Sequence, residues 1–122
     1  MPSTWTIQQA ASVTGLTAHT LRYYEKVNLI PAIERSGSGH RRYSEDDLGW
    51  IEFVKCLRST GMPISDIQRY LASSSEEEQG VAARMSIMEA HRDRLRARIE
   101  ELTGFLERIE DKVQWYREHA QR

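Results

Sequence analysis

The chain has a single cysteine and no long apolar run, and both absences narrow what it can be. One cysteine among 122 residues excludes an internal disulfide and suits a reducing compartment. The apolar runs are too short to span a bilayer, and the N-terminus lacks a charged segment followed by an apolar signal region. These features predict a cytoplasmic protein that has no membrane partner.

Net positive charge is also lacking, because the formal charge of the whole chain is −1. That value argues against a globally basic nucleic-acid binder, but the distribution of charge matters more than its sum. Residues 1–44 hold five Lys or Arg and two Glu, whereas residues 73–122 hold nine Lys or Arg and eleven Asp or Glu. Positive charge therefore predominates in the first third of the chain.

The length allows one domain, or one small domain with an appendage. The sequence shows no Gly-rich phosphate loop and no carboxylate pair, and no base is evidently paired with Cys56. An enzyme is therefore not expected. The four histidines lack ligand-like spacing with Cys56, so we predict no metal site and no cofactor.

Two short helices are predicted at the start of the chain. Thr6 and Gln9 form a capping box that opens the first helix, and Gly15 supplies its stop. Thr17 is a good N-cap for a second helix from about Ala18 to Val27. A short helix, a tight turn with glycine and a second helix form the helix-turn-helix pattern. An ordinary αα-hairpin with a solvated basic face would give the same local signals.

The second helix has two unlike faces when it is projected at 100° per residue. Leu21 and Tyr24 lie on its apolar face. The opposite face carries hydrogen-bond donors suited to a DNA backbone, and in a helix-turn-helix protein this helix enters the major groove. With the capping threonine included, the residues expected to contact DNA here are Thr17, His19, Arg22, Tyr23 and Lys26.

A small two-stranded β wing is predicted after the second helix. Residues 29–33 are mainly apolar, residues 36–39 (SGSG) form a flexible turn, and a basic segment follows. The tip and the return strand could reach phosphates or a minor groove. Arg42 should point away from Arg41 in an extended strand. The wing residues expected to contact DNA are Arg35, His40, Arg41 and Tyr43.

Two further helices and a break complete the first part of the chain. Ser44 caps a third helix that ends at Gly61, and Pro63 begins a fourth. Apolar residues cover much of the circumference of the third helix, so we expect it to be central to the core. A run of Ser and Glu then breaks the pattern, and Ser75 with Glu78 can form another capping box. The predicted domains are 1–73, 74–80 as a linker with a helix cap, and 81–122.

The last segment is predicted to be one long helix with a five-heptad apolar stripe. At 1.5 Å per residue, residues 81–118 would make a rod of roughly 57 Å. A small domain at its base cannot bury such a stripe, so we expect a coiled coil with a second copy, and hence a homodimer. Periodicity fixes neither orientation nor stoichiometry, and a helix folded back on its own core is the alternative. The expected dimer contacts are Leu95, Ile99, Leu102, Leu106, Ile109 and Val113.

Three motifs occur in order along the chain, at residues 21–25 (LRYYE), 39–43 (GHRRY) and 57–62 (LRSTGM). In type and separation they resemble the DNA-binding half of MerR-family transcription regulators, and with the long helix the resemblance covers nearly the whole chain. It implies an all-α fold with a small β wing, in which a winged helix-turn-helix is followed by a long dimerisation helix in an antiparallel coiled coil.

The same resemblance implies a mode of action. Such a dimer binds double-stranded promoter DNA in which the spacer between the two polymerase-recognition elements is too long. By distorting the DNA, it lets RNA polymerase engage both elements. Two copies related by a two-fold axis would require an inverted-repeat site. A different class of function, a scaffold whose coiled coil recruits a partner and whose winged domain binds protein, remains open at this stage.

Cys56 is the one chemical clue to what the protein senses. A lone cysteine is often a small buried apolar residue, and this one is expected near a boundary between core and surface. Residues 55–62 resemble the branch of MerR regulators that responds to aldehydes and other electrophiles, or to nitrosative stress, through one cysteine. That resemblance implies that Cys56 is the nucleophile which an electrophile alkylates or an oxidant modifies. A regulator with a non-sensing Cys56 is the alternative.

Overall fold

The computed structural model describes residues 4–73 and 77–120, and helices account for most of them. The mainly helical fold with a long C-terminal helix is confirmed. The chain divides into two compact units, residues 1–85 and residues 86–122. The helices of the described residues are α1 (Ile7–Thr14), α2 (Ala18–Lys26), α3 (Glu45–Ser59), α4 (Ile64–Ala72) and α5 (Glu78–His119).

The first two helices begin and end where the chemistry of the caps predicts. Thr6 Oγ1 accepts the backbone N–H of Gln9, and the Gln9 side chain accepts the backbone N–H of Thr6, at 3.2 and 2.9 Å. Gly15 ends α1 at a φ of 74°, a left-handed conformation that glycine adopts without steric cost. Thr17 caps α2 by accepting the N–H of Thr20 at 3.0 Å. Helix α1, the turn and α2 therefore form the predicted helix-turn-helix.

The core of the first unit is built by helices α1 to α4 and by the segment that follows α2. Helix α1 packs against α2 and α3, and α3 packs against α4. Burying one large apolar side chain stabilises a fold by about 1.5–3 kcal/mol, so a core of this size holds a small domain together. The largest fully buried apolar side chains are Leu21, Leu29, Ile30, Tyr43, Ile51, Val54, Met62 and Ile67.

Helix α3 is central to this core along one face only. Phe53, one of the apolar residues of this helix, is 37% exposed. Phe53 and Trp50 pack against Tyr70 of α4, with ring centroids 5.8 and 5.9 Å apart. The apolar circumference of α3 is wider than its neighbours cover, so part of it stays at the surface. The residues of α3 that are buried are Ile51, Val54 and Leu57.

The wing is a short hairpin held by backbone hydrogen bonds. Residues 34–36 pair with residues 40–42 through one antiparallel bridge and through N–H to O=C bonds of 2.7 and 2.8 Å. A second antiparallel bridge joins Trp5 to Tyr43 at the base of the hairpin. Leu29 and Ile30 lie before the hairpin in irregular backbone, and both are buried. The wing is therefore smaller than two full strands.

The second unit consists of the later part of α5. This helix begins at Glu78, inside the segment predicted as a linker, whereas the expected capping residue Ser75 lies outside the described residues. Leu95 is half-buried. The other stripe residues are 44% to 60% exposed, namely Ile99, Leu102, Leu106, Ile109 and Val113. The helix thus presents a long apolar surface to solvent in a single copy of the chain.

Within residues 4–73 and 77–120, no helix combines the length and the apolar character needed to cross a bilayer.

Candidate nucleic-acid interface

A concave, positively charged surface forms where three segments of the first unit meet. Its cavity of about 380 Å³ is lined by the N-cap and first residues of α1 (residues 6–8), by Arg22 of α2, and by the wing. We call it the basic cavity. The wing residues that line it are Arg35, Gly39, His40 and Arg41. Four of the residues predicted to contact DNA are thereby brought together around one concave site.

Helix α2 separates its faces as the sequence predicted. Leu21 and Tyr24 are buried, whereas Arg22 is exposed and Tyr23 is 43% exposed. Within the described part of the chain, the side chain of Arg22 makes no hydrogen bond and no ion pair, so its five N–H donors are available to a ligand. Other exposed residues of this face are His19 and Lys26. The outer face of α2 is therefore rich in donors and low in internal contacts.

Thr17 has a role within the fold at the start of α2. Its Oγ1 accepts the N–H of Thr20 and lies 2.9 Å from the Thr20 hydroxyl, to which it donates. The Thr17 side chain is exposed. Its hydroxyl is thus already engaged in capping, and an additional contact with DNA would have to share it.

Glu25 joins α2 to the wing. Its carboxylate accepts the Nε–H of Arg41 at 2.7 Å and the backbone N–H of Ile33 at 3.2 Å. The side chains of Arg41 and Glu25 are only 22% and 16% exposed, so solvent screens the pair less than a surface ion pair. Hydrogen bonds to charged groups contribute about 1.5–3 kcal/mol. Sequence alone assigned Glu25 no role, although its place in the LRYYE motif, sixteen positions before Arg41, is the signal that points to it.

The two adjacent arginines of the return strand have different partners. Arg41 lines the basic cavity and commits its Nε to Glu25, so it holds the wing in place in addition to carrying charge. Arg42 donates from Nε and Nη2 to the Thr4 hydroxyl at 3.0 and 2.7 Å. The expected difference in direction between Arg41 and Arg42 is thus present. Arg42 ties the segment before α1 to the hairpin.

The tip of the wing is braced from within. Arg35 donates from Nη1 to the Gly39 carbonyl at 3.1 Å, and Gly39 has a φ of 85° that favours glycine. Arg35 and His40 are both exposed. One donor of Arg35 therefore stabilises the turn, and its remaining donors are available.

Tyr43 does not belong to the surface expected to contact DNA. Its side chain is fully buried, and its hydroxyl has no hydrogen-bond partner within the described residues. Burial raises the pKa of Tyr43 above the usual value for tyrosine, and Arg41 opposes that shift. The expectation of a DNA contact was wrong at this position, because the strand pairs with Trp5 at the base of the hairpin and the ring packs in the core.

Cys56 lies on the exposed side of α3. Cys56 is therefore not a buried apolar residue in a single copy of the chain. The neighbouring Lys55 contacts Glu52 at 3.6 Å and donates from Nζ to the carbonyl of Thr14, the last residue of α1. The cysteine is thus adjacent in the chain to a residue that links α3 to the helix-turn-helix.

Comparison with protein families gives two matches that overlap along the chain. A family model described as MerR HTH family regulatory protein matches residues 5–74. A second model, described as MerR, DNA binding, matches residues 48–112. The first match contains the helix-turn-helix, the wing and Cys56, and the second reaches well into α5.

Two individual relatives support the same assignment. The chain is 47% identical over 89 residues to the HTH-type transcriptional regulator AdhR of Bacillus subtilis, a match that covers 73% of this chain and 64% of the relative. The chain thus spans less than two thirds of that protein. An uncharacterised HTH-type transcriptional regulator of Haemophilus influenzae is 34% identical over 113 residues, which cover 93% of this chain and 84% of the relative.

A similar protein has also been solved with DNA. It is HiNmlR, a MerR family regulator lacking the sensor domain, in a crystal structure with promoter DNA. The TM-score is 0.85 at 33% identity, and the match covers 94% of this chain and 91% of the other.

We expect Tyr43→Phe to leave the affinity for a promoter duplex within about twofold and the Tm unchanged or higher. The substitution removes a buried hydroxyl without a partner, and such groups cost about 1–3 kcal/mol. Thermal unfolding and fluorescence anisotropy with a labelled duplex measure the two quantities. Tyr23→Phe is the matched control, because Tyr23 is exposed on α2 and its loss should weaken binding without changing the Tm. A tenfold loss of affinity in Tyr43→Phe at constant Tm would contradict the burial argument.

The contact between Glu25 and Arg41 should appear as a coupling energy in a double-mutant cycle. For Glu25→Gln, Arg41→Ala and the double variant, we expect the free energies of unfolding to depart from additivity by about 1–2 kcal/mol. Urea denaturation measures each value. A control cycle that pairs Glu25→Gln with Arg69→Ala, whose arginine contacts Asp66 on α4 instead, should be additive within about 0.5 kcal/mol. Additivity in both cycles would show that the ion pair does not stabilise the fold.

Proposed function

This chain belongs to the MerR family of helix-turn-helix regulatory proteins, and from that premise we propose that it regulates transcription by binding promoter DNA and is not an enzyme. The observation that carries the proposal is the basic cavity, where α1, α2 and the wing present positive charge on one concave surface. DNA carries its negative charge on the phosphates, and their neutralisation by Lys and Arg dominates affinity. A protein that acts on a promoter works where the chromosome is, so the proposed location is the cytoplasm.

The proposed DNA contacts follow from exposure and internal pairing. Arg22 has the most donors free, and Arg35 keeps all but one of its own. Arg41 contributes through the part of its guanidinium that Glu25 does not occupy, and Tyr43 is withdrawn from the set. The contact residues proposed on α2 and the wing are His19, Arg22, Tyr23, Lys26, Arg35, His40 and Arg41, with Thr17 at the helix start.

We propose a homodimer as the form that binds DNA. The exposed stripe of α5 is apolar over several turns, and burying each such side chain would contribute about 1.5–3 kcal/mol. The same helix from a second copy offers the same stripe, and the family resemblance favours an antiparallel pair. Two copies double the phosphate contacts on a site with two-fold symmetry, which is an inverted repeat. The proposed dimer contacts are Leu95, Ile99, Leu102, Leu106, Ile109 and Val113.

We propose further that the dimer distorts a promoter with an over-long spacer so that RNA polymerase engages both recognition elements. Support comes from the family, and from the likeness to a regulator that was crystallised with promoter DNA. Bending a site of 20–30 base pairs costs on the order of 1–6 kcal/mol, which the additional contacts of a dimer can offset.

Cys56 is the proposed switch. Its thiol is exposed, as a reaction with a dissolved electrophile requires, and the adjacent Lys55 bonds to the end of α1. With an α,β-unsaturated aldehyde, the Cys56 sulfur forms a bond to the β-carbon as the π bond between the α- and β-carbons breaks. The thiol proton leaves to solvent, and the α-carbon takes up a proton from solvent. The product is a thioether whose mass exceeds that of the protein by one aldehyde.

Arg22→Ala should weaken binding to the footprinted promoter duplex about tenfold and reduce the slope of log K against log salt by about 1, because one phosphate contact is lost. Arg108→Ala, in the exposed second unit, is the matched control and should bind as the wild type does. DNase footprinting upstream of the chain's own and neighbouring genes identifies the site, and anisotropy at several salt concentrations gives the slope. Binding by Arg22→Ala equal to wild type across that range would refute the contact assignment.

Cys56→Ser should bind the same duplex normally but fail to respond to an aldehyde. With wild-type protein and RNA polymerase, permanganate footprinting should show conversion to open complex on addition of the electrophile, and intact mass should rise by one adduct. Neither change is expected for the serine variant, because its hydroxyl is a far weaker nucleophile than a thiolate. A Cys56→Ser protein that activates normally under the same challenge would exclude the cysteine switch.

A further inference from the structure

We propose that the charged residues along one edge of the α5 stripe fix how two copies of this chain align, and that they restrict pairing to copies with the same charge pattern. The apolar stripe alone would accept a second helix in several alignments. The inference rests on the proposed homodimer and names the contacts that select its partner.

The edge in question follows the apolar stripe at a spacing of seven residues. Each of its members comes directly after a stripe residue, so all of them lie along one side of α5. Their charges are opposite in sign on successive turns of the pattern, with a neutral residue at the middle. We call this row the charged edge, and its members are Glu89, Arg96, Thr103, Glu110 and Arg117.

The charged edge has no internal partners for its charges. All five residues are exposed. Among residues 4–73 and 77–120, none accepts a hydrogen bond from, donates one to, or forms an ion pair with the side chains of Glu89, Arg96, Glu110 or Arg117. These four charges are therefore available to another chain.

An antiparallel second copy would pair the charged edge with itself. In a two-stranded antiparallel coiled coil, side chains at this heptad position lie beside those at the same position of the other helix. With Thr103 opposite Thr103, Arg96 lies beside Glu110 of the second copy, and Glu89 lies beside Arg117 of the second copy. Each contact occurs twice because of the two-fold axis. Charges that flank an apolar seam in this way set partner choice and orientation.

The other alignments bring like charges together. A shift of one heptad in one direction places Glu89 beside Glu110, and a shift in the other direction places Arg96 beside Arg117. In a parallel pair, Lys112 would lie beside Arg117. Like charges brought together disfavour the wrong arrangement, and a helix with a different charge pattern is disfavoured in the same way.

The opposite edge of the stripe does not reverse this preference. The alignment at Thr103 brings Arg98 towards Lys112 of the second copy, which is one repeated contact of like charge against two repeated contacts of opposite charge. Lys112 Nζ also lies 5.2 Å from the ring centroid of Trp115 on its own helix, so a cation–π contact engages its charge.

A charge exchange between two full-length variants tests the proposal, with dimerisation measured by sedimentation equilibrium. Arg96→Glu and Glu110→Arg, each alone, should weaken the dimer about tenfold, because each converts two ion pairs into contacts of like charge. An equal mixture of the two variants should recover the wild-type affinity, since each chain then carries the charges opposite to its partner's. Native mass spectrometry of that mixture should show mainly the mixed dimer. Arg108→Glu is the matched control: it makes the same change of charge on an exposed residue away from the stripe, and the dimer should keep its wild-type affinity.

Cross-linking tests the position of the two-fold axis. Thr103→Cys, combined with Cys56→Ser to remove the other thiol, should give a covalent dimer with a short bismaleimide, because the two thiols would lie side by side. Glu107→Cys in the same background is the control and should not cross-link, since Glu107 is exposed on the side of α5 away from the stripe.

Three results would overturn the inference while the proposed homodimer stood. They are a mixture that dimerises as weakly as either variant alone, an equal loss in Arg108→Glu and Arg96→Glu, and cross-linking at Glu107→Cys as efficient as at Thr103→Cys. A wild-type chain that stays monomeric at all concentrations would overturn the proposed homodimer, and this inference with it.

Discussion

The arrangement of the basic cavity depends on the contacts of the Glu25 carboxylate. This carboxylate accepts from Arg41 of the wing and from the backbone of Ile33, so one side chain of α2 fixes both the segment that leaves the helix and the hairpin that follows. The pair is shielded from solvent, so removing Arg41 would leave the Glu25 carboxylate partly buried without its ion-pair partner. The free energy of unfolding would then fall by more than the contribution of the lost hydrogen bond. Arg41 therefore has two roles that a single substitution cannot separate. The side chain of Arg22 forms no hydrogen bond or ion pair with a described residue, so its substitution disturbs the fold less than that of Arg41.

Local chemistry explains which features the sequence predicted. The caps at Thr6, Thr17 and Ser44 act over three residues, and the two faces of α2 follow from the helical period, so both are readable without tertiary structure. The burial of Tyr43 depends on a bridge to Trp5, thirty-eight positions earlier in the chain, which no local pattern encodes. The outward position of Phe53 likewise depends on how much of α3 its neighbours cover. The errors thus occur where pairing over long sequence separations determines the environment of a side chain.

The two units differ in how much of their apolar surface they bury within a single copy of the chain. The first has its own buried core and its own polar surface. The second is helical, and its apolar stripe is about half exposed, so a single copy leaves that surface in water. A second copy would bury it and tie apparent stability to protein concentration. The proposed dimer therefore follows from the same burial argument that explains the core, applied to a helix that has no core of its own.

The net charge of −1 is compatible with this role because electrostatic recognition is local. At physiological ionic strength, exposed charges interact weakly beyond about 8 Å. The charged groups around the basic cavity therefore determine the electrostatic potential inside it. Phosphate contacts fix register and orientation, whereas base edges supply sequence information. Of the exposed residues of α2, Arg22 lines the basic cavity, whereas His19, Tyr23 and Lys26 do not. The proposed function therefore divides between two parts of the same helix, one beside the wing and one along the outer face.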